Sequence, residues 1–194
     1  MLKDVYGRRA CRRMMLAKSR HWIFGSMSGT NADTALREYF EITHDYPLAA
    51  AKAFATLHPD SPFSFVYVSG EGATQTPGIF TPIYGRVKGQ IESALFDFCK
   101  QNPMFKVFNV RPAGVDWRGH EEIQRFMPKQ ATYKLMLLPP IALLAKGFTT
   151  PTPALGRILT ELAMSRGEPV EGDDVGMEGR LVPNAAIRRM AGLR

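Results

Sequence analysis

Two segments of this chain are apolar at both odd and even positions, and a helix-length stripe lies between them. "FSFVYVSG", residues 63–70, is β-branched and aromatic on both faces; "MFKVFNVRPAGV", residues 104–115, is the next buried strand, closed by Pro112 and Gly114. Such strands belong inside a sheet covered on both sides, which is the habit of parallel sheets. Between them, from about residue 83 to residue 100, Val87, Ile91, Leu95 and Phe98 fall at i, i+4, i+8 and i+11, the apolar stripe of a helix. Strand, helix and strand in this order make a crossover unit, and a crossover joins parallel neighbours. The expected fold class is α/β: a partial Rossmann-like parallel sheet flanked by helices, with a mostly helical C-terminal part.

The surrounding chain fits that frame. "HWIFGSMSG", residues 21–29, reads as a buried strand running into a loop. Helices are expected over residues 31–43, through Leu36, Tyr39, Phe40 and Thr43, and over 46–57, where Pro47 suits a first helical position and an Ala run follows. Residues 70–82 read as a loop. From residue 130 the pattern is mainly helical: Thr152 and Pro153 can start "ALGRILTELAMS", and Asn184 can cap "AAIRRMAG". Between them, the Gly- and acid-rich residues 166–180 read as a surface loop.

Charge bears on partners. The chain has 194 residues and a net charge of +7, but residues 1–20 hold seven of the basic residues against Asp4 alone. The body is nearly neutral, so any attraction to nucleic acid or an anionic membrane belongs to a short arm. That arm reads as a solvated, disordered tail. A mitochondrial presequence can look similar, but Ser is scarce here and Asp4 intrudes. Residues 21–194 then form one domain. No run reaches the roughly 18 apolar residues of a membrane span; residues 135–145, the longest candidate, are cut by Pro139 and Pro140. Cys11 and Cys99 make no disulfide framework, so a reducing, cytoplasm-like compartment is the default. The four histidines, His21, His44, His58 and His120, share no metal-ligand spacing.

The chemistry-bearing residues gather near the first strand. Tyr84 and Lys88 stand four apart, hence on one helix face. An ammonium beside a phenol favours the phenolate, and a phenol so placed can exchange a proton with a substrate hydroxyl or carbonyl. Ser69 stands at the strand's carboxyl end, the edge at which open parallel sheets bind ligands. The three can converge on one substrate oxygen. The alternative reading of the same residues is a half-buried aromatic and a solvated helix charge.

Taken together, "FVYVSGEGA", "YGRVKGQIESALFDF" and "FKVFNVRPAGV" resemble the second half of an atypical or extended short-chain dehydrogenase/reductase, the NAD(P)-binding branch labelled nucleoside-diphosphate-sugar epimerase-like and common in fungi. The resemblance runs from about Ile23 to Met190. It implies a catalytic set of Ser69, Tyr84 and Lys88: Tyr84 the acid/base, Lys88 its electrostatic support and a hold on the cofactor ribose, Ser69 the group orienting the substrate oxygen. It implies that Pro112, Gly114 and Val115 line a nicotinamide pocket and that Gly25 approaches the ribose side. NAD or NADP would be the cofactor, and an unidentified small molecule the substrate. It also suggests that residues 116–128 and 135–145 wall a substrate pocket, while residue by residue the simpler reading is packing of a C-terminal lobe.

The sequence departs from the family at one place. A Gly-rich strand–turn–helix element should seat the pyrophosphate on a helix N-terminus. Neither "GSMSGT", residues 25–30, nor "GEGATQ", residues 70–75, has the G-x-G-x-x-G spacing. The expectation is a chain lacking the dinucleotide-binding half, with weakened cofactor affinity and an open sheet edge that invites pairing with another chain. A shortened gene product, a subunit of a larger assembly, and a protein without cofactor all fit. Two functions are set against the oxidoreductase or epimerase: a non-catalytic Rossmann-like regulatory or assembly protein, and a binder of nucleic acid or membrane through the basic arm.

Overall fold

The computed structural model describes residues 32–57, 62–116, 119, 122 and 146–193. The chain divides into two compact units, Met1–Arg37 and Glu38–Arg194. The basic arm at 1–20, the strand expected at 21–29 with Gly25, His58, His120, and nearly all of residues 117–145 lie outside the described residues.

Helix α1, Ala32–Phe40, runs into a π-helical segment, Glu41–Asp45, and on into α2, Tyr46–Ala55. Sequence reading separated two helices near Asp45, whereas the structure joins them through the wide turn. Pro47 supplies the reason. It has no N–H to offer the Thr43 carbonyl four residues back, and its ring crowds that carbonyl. The Thr43 carbonyl instead accepts a hydrogen bond from the Tyr67 hydroxyl at 3.3 Å.

Strand β1, Phe63–Val68, crosses through helix α3, Ile83–Gln101, to strand β2, Phe105–Arg111. The two strands pair in parallel from Phe63 opposite Phe105 to Val68 opposite Val110. β2 ends at Pro112, and the chain continues in strand β3, Gly114–Asp116, which pairs with strand β4, Thr149–Pro151, in a separate two-stranded sheet. Pro112 closes β2, because it has no N–H for the ladder; the short β3 that follows it was not expected. Helix α4, Thr152–Met164, follows β4; strand β5, Leu181–Pro183, then lies parallel to the far side of β2, and helix α5 covers Asn184–Met190. The three-residue β5 carries no alternation long enough to be legible. Its place gives the sheet order β1-β2-β5, all parallel.

β2 is the central strand, and its side chains divide between two cores. Phe105 and Val107 pack with Ile91 and Leu95 of α3 and Ala51 of α2, while Phe108 and Val110 pack with Ile158 and Leu162 of α4 and Ile187 of α5. β1 differs from expectation. Its residues are half-buried rather than buried, because among the described residues it pairs on one edge alone. The fold is α/β, a partial Rossmann-like parallel sheet with helices on both faces. The C-terminal part holds α4 and α5 joined by the turn-rich residues 165–180 and by β5. Among the described residues, no helix is long and apolar enough to cross a membrane.

The loop after β1 lies along α3 over two glycines one turn apart. A side chain built on Gly85 would stand 2.6 Å from the Gly72 carbonyl oxygen, and one on Gly89 would collide with the Thr74 carbonyl. The Thr74 amide also donates to the Gly85 carbonyl at 3.1 Å. Gly156 of α4, by contrast, is exposed with open space around it. Gly89→Ala is therefore expected to destabilise the chain by about 1–3 kcal/mol through overpacking against backbone. Gly156→Ala should stabilise by up to about 1 kcal/mol through helix propensity. Urea unfolding of the two variants beside the parent measures both.

Candidate functional site

Ser69 is the first residue after β1, and its amide continues the ladder to the Val110 carbonyl at 2.7 Å. The strand's alternation puts Ser69 in the row of Phe63, Phe65 and Tyr67, whose side chains pack on the α3 core. The Ser69 Oγ is buried and has no hydrogen-bond partner. A turn follows at residues 69–72, held by the Glu71 amide on the Pro112 carbonyl at 2.9 Å and the Ala73 amide on the Gly70 carbonyl at 3.1 Å. Gly72 takes a positive φ of 91°, a conformation open to glycine at little cost.

Tyr84 and Lys88 of α3 both reach this turn. The Lys88 ammonium donates to the Ser69 carbonyl at 2.8 Å, and a side chain built on Gly70 would meet its Nζ at 3.4 Å. One built on Gly72 would stand 3.1 Å from the Tyr84 hydroxyl. The structure thus brings Ser69, Tyr84 and Lys88 to one turn at the carboxyl edge of the sheet. Pro112 adjoins the turn through its carbonyl. Gly114 and Val115 are carried into the ladder with β4, where a side chain on Gly114 would press on Thr149.

A buried polar cluster, unread in the sequence, lies one turn further along α3. Glu92 is fully buried. The Arg111 guanidinium grips its carboxylate with two hydrogen bonds, Nε to Oε1 at 2.9 Å and Nη2 to Oε2. Gln75 donates to Oε2 at 2.6 Å, and Asn109 Nδ2 donates to the Glu92 carbonyl at 3.1 Å. The signal was present: Tyr84, Lys88 and Glu92 form one i, i+4, i+8 row, and Arg111 closes the Val107–Asn109 row of β2. Asn184 differs from its expected role. It does not cap α5; its side chain accepts from Thr150 Oγ1 at 3.0 Å and the Ala113 amide at 3.3 Å, and donates to the Gly147 carbonyl at 3.3 Å. It ties the exit of β2 to the small sheet.

These neighbours set the local electrostatics. Desolvation pulls the Lys88 ammonium below its ordinary pKa, partly offset by the Glu92 charge. Tyr67 is pushed well above the ordinary phenol value, first by burial, then by the charges of Glu92 and Tyr39. Tyr39 is raised chiefly by burial, against the lowering effect of its hydrogen bond with Thr43.

A parallel sheet with helices on both faces and a polar turn at its carboxyl edge defines an α/β protein of partial Rossmann-like type. No family model matches the sequence. The chain is 38% identical over 155 residues to "Botcinic acid biosynthesis cluster B protein 16" of Botryotinia fuckeliana (strain B05.10), covering 75% of this chain and 98% of that protein. It is 28% identical over 178 residues to "Leucinostatins biosynthesis cluster protein T" of Purpureocillium lilacinum, covering 78% of this chain and 64% of that protein. The chain belongs to the family of the Botryotinia protein.

Two measurements check the electrostatics. Removing Arg111 strands a buried carboxylate, so Arg111→Leu should cost about 3–5 kcal/mol, and the double variant Glu92→Leu/Arg111→Leu should recover most of that. Lys88 binds its proton less tightly folded than unfolded. Stability from this group is therefore lowest where both states are protonated, and it rises as pH climbs through the folded pKa towards about 10.4. Tyr67 has the opposite sign, losing stability above about pH 10 because the unfolded phenol ionises first. Denaturation across that window should show a shallower rise or steeper fall in Lys88→Met than in the parent, and the reverse in Tyr67→Phe.

Proposed function

We propose that the chain carries an acid/base site of short-chain dehydrogenase type, with Tyr84 exchanging a proton with a carbonyl or hydroxyl of a small-molecule substrate. The observation that carries this reading is the meeting of Ser69, Tyr84 and Lys88 at the turn of residues 69–72. The orphaned Ser69 Oγ has a donor to offer the same substrate oxygen, and the Lys88 ammonium brings positive charge to the same turn. Both relatives carry the names of biosynthesis cluster proteins, which supports a role in a biosynthetic cluster.

The same residues fit the nicotinamide-ribose end of NAD or NADP. An ammonium has three donors, of which Lys88 places one on the Ser69 carbonyl, and Pro112 borders the turn. When bound, the dinucleotide supplies the hydride chemistry, and the protein supplies position and charge. A cradle for the pyrophosphate is a different matter. The amides of Glu71, Ala73 and Thr74 already donate to Pro112, Gly70 and Gly85. Weak binding is the expectation on this reading.

Titration of the purified chain with NADH and NADPH, followed by calorimetry and fluorescence, tests it. The parent should bind weakly, Lys88→Ala should weaken binding further by about tenfold or more, and Tyr84→Phe should bind like the parent while removing proton exchange. Identical behaviour of the parent and Lys88→Ala overturns the enzyme reading in favour of a non-catalytic regulatory or assembly protein.

A further inference from the structure

The loop between β1 and α3 ends in a corner that exposes apolar side chains. Ile79 is 91% exposed and Phe80 is 96% exposed, and Ile83 beside them, the first residue of α3, is also exposed. Scattered single apolar residues on a surface need no explanation, but two consecutive bare ones on a fixed corner are a candidate interaction patch.

The corner is fixed. The Thr81 amide donates to the Gly78 carbonyl at 3.2 Å, and the Gly78 amide donates to Thr81 Oγ1 at 2.8 Å. Arg86 reaches back from α3 to clasp it from below, with Nε on the Thr81 carbonyl at 2.9 Å and Nη2 on the carbonyls of Gly78 at 2.7 Å and Ile79 at 3.1 Å. Arg86 lies two residues beyond Tyr84, about 200° around the helix. The corner and the turn of residues 69–72 meet over Gly85, where a side chain would stand 3.3 Å from Thr81 Cγ2 and 2.6 Å from the Gly72 carbonyl oxygen.

The segment that forms the corner carries charge of one sign. Residues 72–91 contain no Asp or Glu and include Arg86 and Lys88. The partners of Arg86 are backbone carbonyls, and among the described residues no carboxylate pairs with it, so its charge stays with the corner. The corner also stands at the N-terminus of the 19-residue α3, which has no acidic residue in its first turn and no side-chain cap. That end carries the positive pole of the helix. Two bare apolar side chains over a cationic base complement a surface that is apolar within and anionic at its face.

We propose that the Ile79–Phe80 corner is an interfacial anchor that inserts into the surface of an anionic lipid bilayer, with Arg86 and the α3 N-terminus meeting the headgroup phosphates. Apolar insertion and electrostatic attraction act together in such contacts. The anchor holds the chain on the membrane without crossing it.

Flotation of the full chain with two kinds of vesicle tests this, one of phosphatidylcholine alone and one with a quarter phosphatidylserine. The parent should float with the anionic vesicles and stay behind with the neutral ones, and added salt should weaken the association. The double variant Ile79→Ser/Phe80→Ser changes exposed positions, so its circular dichroism should match the parent while flotation falls by about tenfold. A chain lacking residues 1–20 separates the contribution of the basic arm. Loss of binding on that deletion, with the double variant floating like the parent, overturns the proposal and assigns the contact to the arm. Failure of the parent to float with anionic vesicles also overturns it, as does a parent that self-associates by light scattering and becomes monomeric in the double variant without vesicle binding.

Discussion

A carboxylate without water must be held by the protein, and Glu92 is held by three elements at once. Arg111 grips it from the last position of the central strand, Gln75 from the loop, and its own helix carries it between them. A buried ion pair of this sort adds little net stability compared with an apolar pair, yet it penalises severely any arrangement that separates its members. The strand end, the loop and the helix must therefore register together, or a full charge is left bare. The turn bearing Ser69 lies one helical turn away, so the same constraint fixes where Tyr84 and Lys88 stand relative to it.

The glycines of α3 make that registration sterically available. With Gly85 and Gly89 the loop backbone rests directly on the helix, closer than any side chain would permit. Polar pinning and close approach thus act on the same few residues, one by charge and the other by the absence of a Cβ. The outcome is a loop whose Glu71, Ala73 and Thr74 amides are satisfied by protein carbonyls.

Much of the architecture could be read from the chain because it rests on repetition. The apolar stripe of α3 and the two-sided apolarity of β2 are periodic over many residues, and both elements formed as read. The convergence of Ser69, Tyr84 and Lys88 followed from spacing and from the polarity of a parallel sheet. What escaped was set by contacts distant in sequence. The three-residue β5 exists because β2 offers it an edge. Asn184 looks like a helix cap locally and is drawn instead to Thr150 and Ala113. Glu92 is held by Arg111, nineteen positions on. The half-buried state of β1 depends on what lies along its outer edge, which no window of the strand itself encodes.

The π-helical segment has a further consequence for how the first helices face the sheet. A widened turn accommodates one residue more than a regular one, so everything beyond it is rotated by about 100° relative to an unbroken helix. In this chain the widening lies between Phe40 and Tyr46, and the Tyr67 phenol holds it open from the sheet. The phase of α2, which turns Leu48, Ala51 and Ala55 toward the phenylalanines of β1 and β2, is thereby set by a hydroxyl on the strand as much as by the helix's own sequence.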